Sequence, residues 1–264
     1  MLKQAKLKRT LWLICAALSF VAAVVGLAFS DMYKPWVSPT VFPGMLSQDF
    51  TTLLVAVALF VLAGRLKSSS PKIPIWSLGM LAYLFYAYGI YSIERVYTGF
   101  YFLYLAIFGL SFYSIIYTIV GLKPDVLNSI RQKRLPRDMA IVFMLLNPLL
   151  FYPLWTVQLL SIIRTGHQLE NTYSIYILDM AIVLPAMVII AAMAAKNKGL
   201  GLFLAPAKLI NGFILLFSVA LGALFRPLFQ LELILGEFFL YIVLSLIFLL
   251  ITVFYLRSIR ITKI

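Results

Sequence analysis

Eight apolar runs, each near the length needed to cross a bilayer, partition this sequence. They cover roughly residues 10–30, 49–66, 74–95, 98–121, 138–163, 173–195, 201–224 and 229–256. A helix crosses the hydrocarbon core in about 20 residues at 1.5 Å each. Lipid offers no water to a backbone that is neither helical nor closed into a barrel. The economical solution is an all-α, polytopic transmembrane bundle of about eight helices, a single integral membrane domain over residues 1–264. Composition agrees: 63% of the 264 residues are hydrophobic and 12% are charged, where a soluble domain is nearer half apolar and a quarter charged. The second run is short and the eighth long, which leaves room for tilt or partial re-entry.

Lys and Arg give the direction of threading. With the N-terminus inside, Lys3, Lys6, Lys8, Arg9, Arg65, Lys67, Lys72, Lys123, Arg131, Lys133, Arg134, Arg137, Lys196, Lys198, Arg257, Arg260 and Lys263 fall inside, 17 in all. Only Lys34, Arg95, Arg164 and Arg226 fall outside, and Lys208 lies within a span. The positive-inside rule therefore predicts that both ends are cytoplasmic and the helix count even. The N-terminal MLKQAKLKR and the apolar run after it also fit a signal peptide, with Ala28-Phe-Ser30 as a weak cleavage site, which would leave seven helices. At about 19 residues the run is longer than the usual 7–15 of such signals, so it is read as a retained first helix.

The net charge of +13 raises nucleic acid as a partner. The positive residues sit in short loops between apolar runs, which points to the bilayer instead. A single Cys15 excludes an internal disulfide and a Cys-based zinc site, and a single His167 excludes a multi-His metal centre. No metal or cofactor is expected. HExxH, GxSxG, Walker A and DDxxD motifs are all missing, and no internal repeat is evident.

Candidate functional residues are the polar ones that the spans carry into the membrane. Asp179 lies about 9 Å from one end of YSIYILDMAIVLPAMVIIAAMAA, and Pro185 near its middle removes a backbone hydrogen bond and predicts a kink. An acid at that depth is expensive and has a partner or a job. Glu237 falls at a similar level in the eighth run. Sorted by side, Asp31, Asp49, Glu94, Glu170, Asp179, Glu232 and Glu237 are outer; only Asp125 and Asp138 are inner. The outer half is thus where a polar pocket is expected, with Asp49, Asp179 and Glu237 as its acids. Arg95 or Arg226, or both, would neutralise them, together with tyrosines. Tyr83, Tyr86, Tyr104 and Tyr113 lie deep, where each hydroxyl needs an interhelical partner or a cavity. Tyr97, Tyr101, Tyr104, Phe108 and Ser111 share one helical face. In LLNPLLFYP, Pro148 and Pro153 predict a kink, and Asn147 is placed to bond across helices. Lys208 either snorkels to the inner interface or, with Asn211 three residues on, marks an inward polar face.

Two loops add expectations. DMYKPWVSPTVFPGMLSQ holds three prolines that forbid a regular helix, and its Trp36, Phe42 and Met45 place it at the interface or over the bundle. In LKPDVLNSIRQKRLPRD, Val126, Leu127, Ile130 and Leu135 with Arg131, Lys133, Arg134 and Arg137 suit either a helix lying on anionic lipids or a plain positive loop.

SQDFTTLLVAVALF, WSLGMLAYLFYAYGIY, FYFLYLAIFGLS, ILDMAIVLPAM and LAPAKLINGF resemble, in that order, a group of bacterial multi-pass membrane proteins with no assigned activity. The resemblance spans most of residues 47–215 and implies a bacterial inner-membrane setting. It carries over no catalytic role. Function is read first as a small-solute or ion transporter or a membrane binding protein. A non-catalytic subunit or chaperone bound to another membrane protein comes next, and then an enzyme acting on a lipid or envelope precursor.

Overall fold

The computed structural model describes residues 2–66, 70–166 and 173–261. Lys67, His167, Glu170 and Lys263, which enter the counts above, lie outside them. The spans are α1 (Ala5–Ala28), α2 (Phe42–Gly64), α3 (Lys72–Ile93) and α4 (Tyr101–Val120). A short α5 (Pro124–Ser129) and strand β1 (Ile130–Arg131) lead into α6 (Arg134–Thr165). The sixth span is built from α7 (Tyr173–Leu178), a π-helical turn over Asp179–Val183, and α8 (Leu184–Ala195). Then come α9 (Gly199–Phe225), α10 (Leu235–Ser258) and strand β2 (Arg260–Ile261). Eight of these segments are long and apolar enough to span a membrane; the chain is an all-α, multi-pass membrane protein.

α9 is the hub, packing on α10, α2, α3 and α8, while α1 packs on α2 and α4, and α6 on α8 and α10. α3 is apolar all round and is the most enclosed span, as such a helix should be. Its approach to α9 depends on Gly79: a Cβ there would come within 2.8 Å of the Ala207 carbonyl and strike Ile210. Between membrane helices small residues do this work, since lipid tails are as apolar as leucine and burial alone drives little association.

One boundary differs from expectation, and two proline-bearing spans show how the ring is accommodated. α2 begins at Phe42, not 49, because Pro43 stands in its first turn, where a missing N–H and a fixed φ cost nothing. Asp49 is therefore about 10 Å into the helix by the 1.5 Å rise, not at its edge. α6 runs unbroken through Pro148 and Pro153. Ahead of Pro185 the chain widens into the π-turn, and the Tyr152 hydroxyl donates to the Met180 carbonyl inside it at 2.9 Å. A side chain from a neighbouring helix thus serves a carbonyl that the regular ladder does not reach.

The face bearing both termini is stitched together. Leu2 bridges to Leu122, and β1 pairs antiparallel with β2, Ile130 opposite Ile261. Gln132 donates to the Tyr255 carbonyl at 2.9 Å and accepts from Ser258 at 2.7 Å, and Arg137 donates to Asn197. The long basic loop is helical at Pro124–Ser129 and again from Arg134, where α6 begins. Ile130 is buried in the strand pair and Leu135 is exposed on α6, so these residues do not form one apolar helix face. Arg131, Lys133 and Arg134 are exposed around this plate.

Candidate functional site

At the end of the bundle away from the termini, Asp49 is 1% exposed. Its carboxylate accepts from the Tyr33 hydroxyl at 2.7 Å and from the Tyr91 hydroxyl at 2.8 Å. Tyr33 stacks on Tyr91, and Tyr91 stacks on Tyr104 with ring centroids 4.8 Å apart; Tyr88 leans on both. Thr98 donates to the Tyr104 hydroxyl. No Lys or Arg forms an ion pair with Asp49 among the described residues. Two phenol donors stand where a cation would otherwise be. Burial, with the Asp49 carboxylate beside it, pushes the Tyr33 phenol far above its ordinary range, so it remains a donor. Gly26 of α1 closes this box: a Cβ there would overlap both the Asp49 carboxylate and the Tyr33 hydroxyl.

A second polar cluster lies deeper, between α3, α6, the π-turn and α9. Trp155 Nε1 donates to Asp179 Oδ2 at 3.1 Å, and the Tyr86 hydroxyl lies near the same carboxylate. Lys208 is near enough for electrostatic attraction to Asp179 without a direct bridge. Its Nζ donates to Asn211 Oδ1 at 2.7 Å, so the side chain turns along α9 away from the termini rather than snorkelling toward them. The π-turn aims Asp179 at Trp155 and Tyr86. Such bulges recur where a helix must present a side chain off its regular face.

Beside this cluster is a cleft of about 230 Å³ with almost wholly apolar walls. α3 and α9 pack together as its floor, and α4 and α8 flank it without an extensive contact with one another. Phe112 and Ile182, 43% and 42% exposed, stand at its mouth. Tyr86, Lys208 and Asn211 are its polar lining. A separate vestibule of about 280 Å³ opens at the end away from the termini. Gln48, Ser218, Arg226, Glu237 and Tyr241 line it.

The ten expected site residues thus divide rather than converge. Asp49 and Tyr104 belong to the tyrosine box, Asp179, Tyr86 and Lys208 to the cleft cluster, and Arg226 and Glu237 to the vestibule. The three acids share no hydrogen-bond partner. Neither arginine neutralises them: Arg226 Nε donates to the Glu232 carbonyl at 2.7 Å, and Arg95 occupies a left-handed turn after α3 at φ 56° with no ion pair among the described residues. Tyr83 ties α3 to α2 through the Gln48 carbonyl at 3.0 Å and Thr52 at 3.2 Å. Asn147 bonds the Phe143 carbonyl of its own helix rather than crossing to another. Tyr113 is 58% exposed and Tyr97 packs on Trp36; of the proposed tyrosine face only Tyr104 and Ser111 are buried. No protein family, no curated protein and no solved structure matches the chain.

Sequence reasoning missed Tyr33, Tyr91, Trp155 and Gly26. Tyr33 was hidden in a loop expected to lie at the interface, although it is fully buried. Trp155 offers a sequence signal in hindsight: an indole N–H needs an acceptor in lipid, and Asp179 is the acid of the adjoining span.

Proposed function

We propose that this protein is a membrane binding protein that admits the chain of an amphiphile from the bilayer, sideways, into the cleft between α4 and α8. The observation that carries the reading is the cleft itself: apolar walls, a mouth between two helices that do not pack together, and a polar end at Lys208, Asn211 and Tyr86. Ligand sites are mostly apolar with a few placed polar groups. At about 230 Å³ this one is below the usual 300–1,000 Å³, which suits part of a chain whose remainder stays in lipid. The test is displacement of a spin-labelled alkane from purified protein. Ala186→Trp, which fills the cleft wall, is expected to weaken binding at least about tenfold. Glu237→Gln, in the vestibule, is expected to leave it unchanged. Equal binding by wild type and Ala186→Trp refutes the reading.

The protein is read as one integral membrane domain of a bacterial inner membrane, with the stitched face in the cytoplasm and its exposed arginines and lysines against anionic lipid. The asymmetry of Lys and Arg supports this orientation. A C-terminal alkaline phosphatase fusion is expected to be inactive and a C-terminal fluorescent protein bright; an active phosphatase reverses the topology. The separately partnered acids also suit a non-catalytic subunit, for which purification would bring down a stoichiometric membrane partner.

A further inference from the structure

The polar end of the cleft is chemically one-sided. Asn211 is 2% exposed, and its Oδ1 accepts from Lys208 Nζ at 2.7 Å. That bond fixes which way the amide lies, and Asn211 Nδ2 is left buried without a partner. A buried N–H with no acceptor is costly and uncommon in a native protein. Lys208 carries three N–H donors, of which one is spent on Asn211. The Tyr86 hydroxyl stands between the cleft and Asp179, which itself lies behind the lining rather than in it.

Resting on the cleft reading, we propose that the bound amphiphile ends in an acceptor-only oxygen group, a carboxylate or an ester carbonyl, held by Asn211 Nδ2 and Lys208 Nζ. A donor-only group such as an ammonium would meet donors head-on; an alkane would leave the amide orphaned. Asp179 lies near enough to attract the lysine, so an uncharged carbonyl competes with an anion for the same seat. The class is set by acceptor geometry rather than by net charge. A free fatty acid and an ester-linked lipid share that chemistry.

Four ligands of one chain length separate the outcomes in the spin-label displacement assay: dodecanoate, its methyl ester, dodecylamine and dodecane. Dodecanoate or the ester is expected to displace the label about tenfold better than the amine and the alkane, the worth of one hydrogen bond made in a buried site. In Asn211→Leu, and in Lys208→Met, that preference is expected to collapse while dodecane competes as before. Dodecanoate about tenfold ahead of its ester assigns a free acid; parity assigns an ester-linked lipid. Dodecylamine or dodecane matching both acceptors in wild-type protein overturns the inference and leaves the cleft reading standing. Wild-type protein that holds no labelled chain overturns both.

Discussion

Leucine in place of Gly26 is expected to destabilise the protein by about 3–5 kcal/mol, combining overpacking with the loss of buried hydrogen bonds. The added side chain would occupy the space of the Asp49 carboxylate and the Tyr33 hydroxyl. Neither can yield cheaply. Asp49 is fixed by two phenols, and Tyr33 stacks on Tyr91, which stacks on Tyr104. Moving any member strands another hydroxyl in a buried site. Gly109→Leu is the control, since a Cβ there meets nothing within 4 Å on α4. Thermal unfolding in detergent, followed by the loss of the monodisperse species on size exclusion, should separate the two. Equal midpoints for both variants would show that α1 does not close over the tyrosine box.

Asp179→Leu should be nearly as damaging, and its rescue is the informative part. The substitution removes the acceptor of Trp155 Nε1 and leaves Lys208 without its acidic neighbour. Stranding the buried Trp155 donor beside an uncompensated lysine is expected to cost about 3 kcal/mol, the upper end for a buried polar group left without a partner. Asp179→Asn keeps an acceptor oxygen for Trp155 and should lose less. The double variant Asp179→Leu with Lys208→Met should recover at least half of the single loss, since no charge then remains to strand. Additive losses in that cycle would mean that Lys208 and Asp179 do not sense one another.

How far the sequence carried the argument depends on which coordinate is asked for. Position along the membrane normal is close to legible: length and hydropathy located eight spans, and Asp179 was placed on a costly level that calls for partners, which it has. Angular position was not legible. Lipid and protein core are equally apolar, so a spanning helix carries little amphipathic signal to show which side faces its neighbours. Asp49, Asp179 and Glu237 were grouped because they share one half of the bundle, yet they sit on different sides of it. Asn147 illustrates a second limit, since an amide beside a proline can serve its own helix as readily as another. The start of α2 was misplaced by treating Pro43 as a loop residue, when the first turn is where a helix accepts proline. The π-turn at Asp179 has no sequence signature beyond Pro185, whose effect reads equally well as a kink.

The strand pair and bridge that stitch the termini face have a consequence for synthesis. Leu2 needs only Leu122, made in the first half of the chain, but Ile130 must wait for Ile261, made after the eighth span. Gln132 likewise depends on Tyr255 and Ser258 at the end of α10. Until the eighth span is in place, the middle of the chain displays an open strand edge and an unsatisfied amide. Such an edge is what chaperones and proteases can read. Closure of this face at the middle of the chain thus waits on residues that follow the eighth span, and a chain released before α10 keeps that edge open.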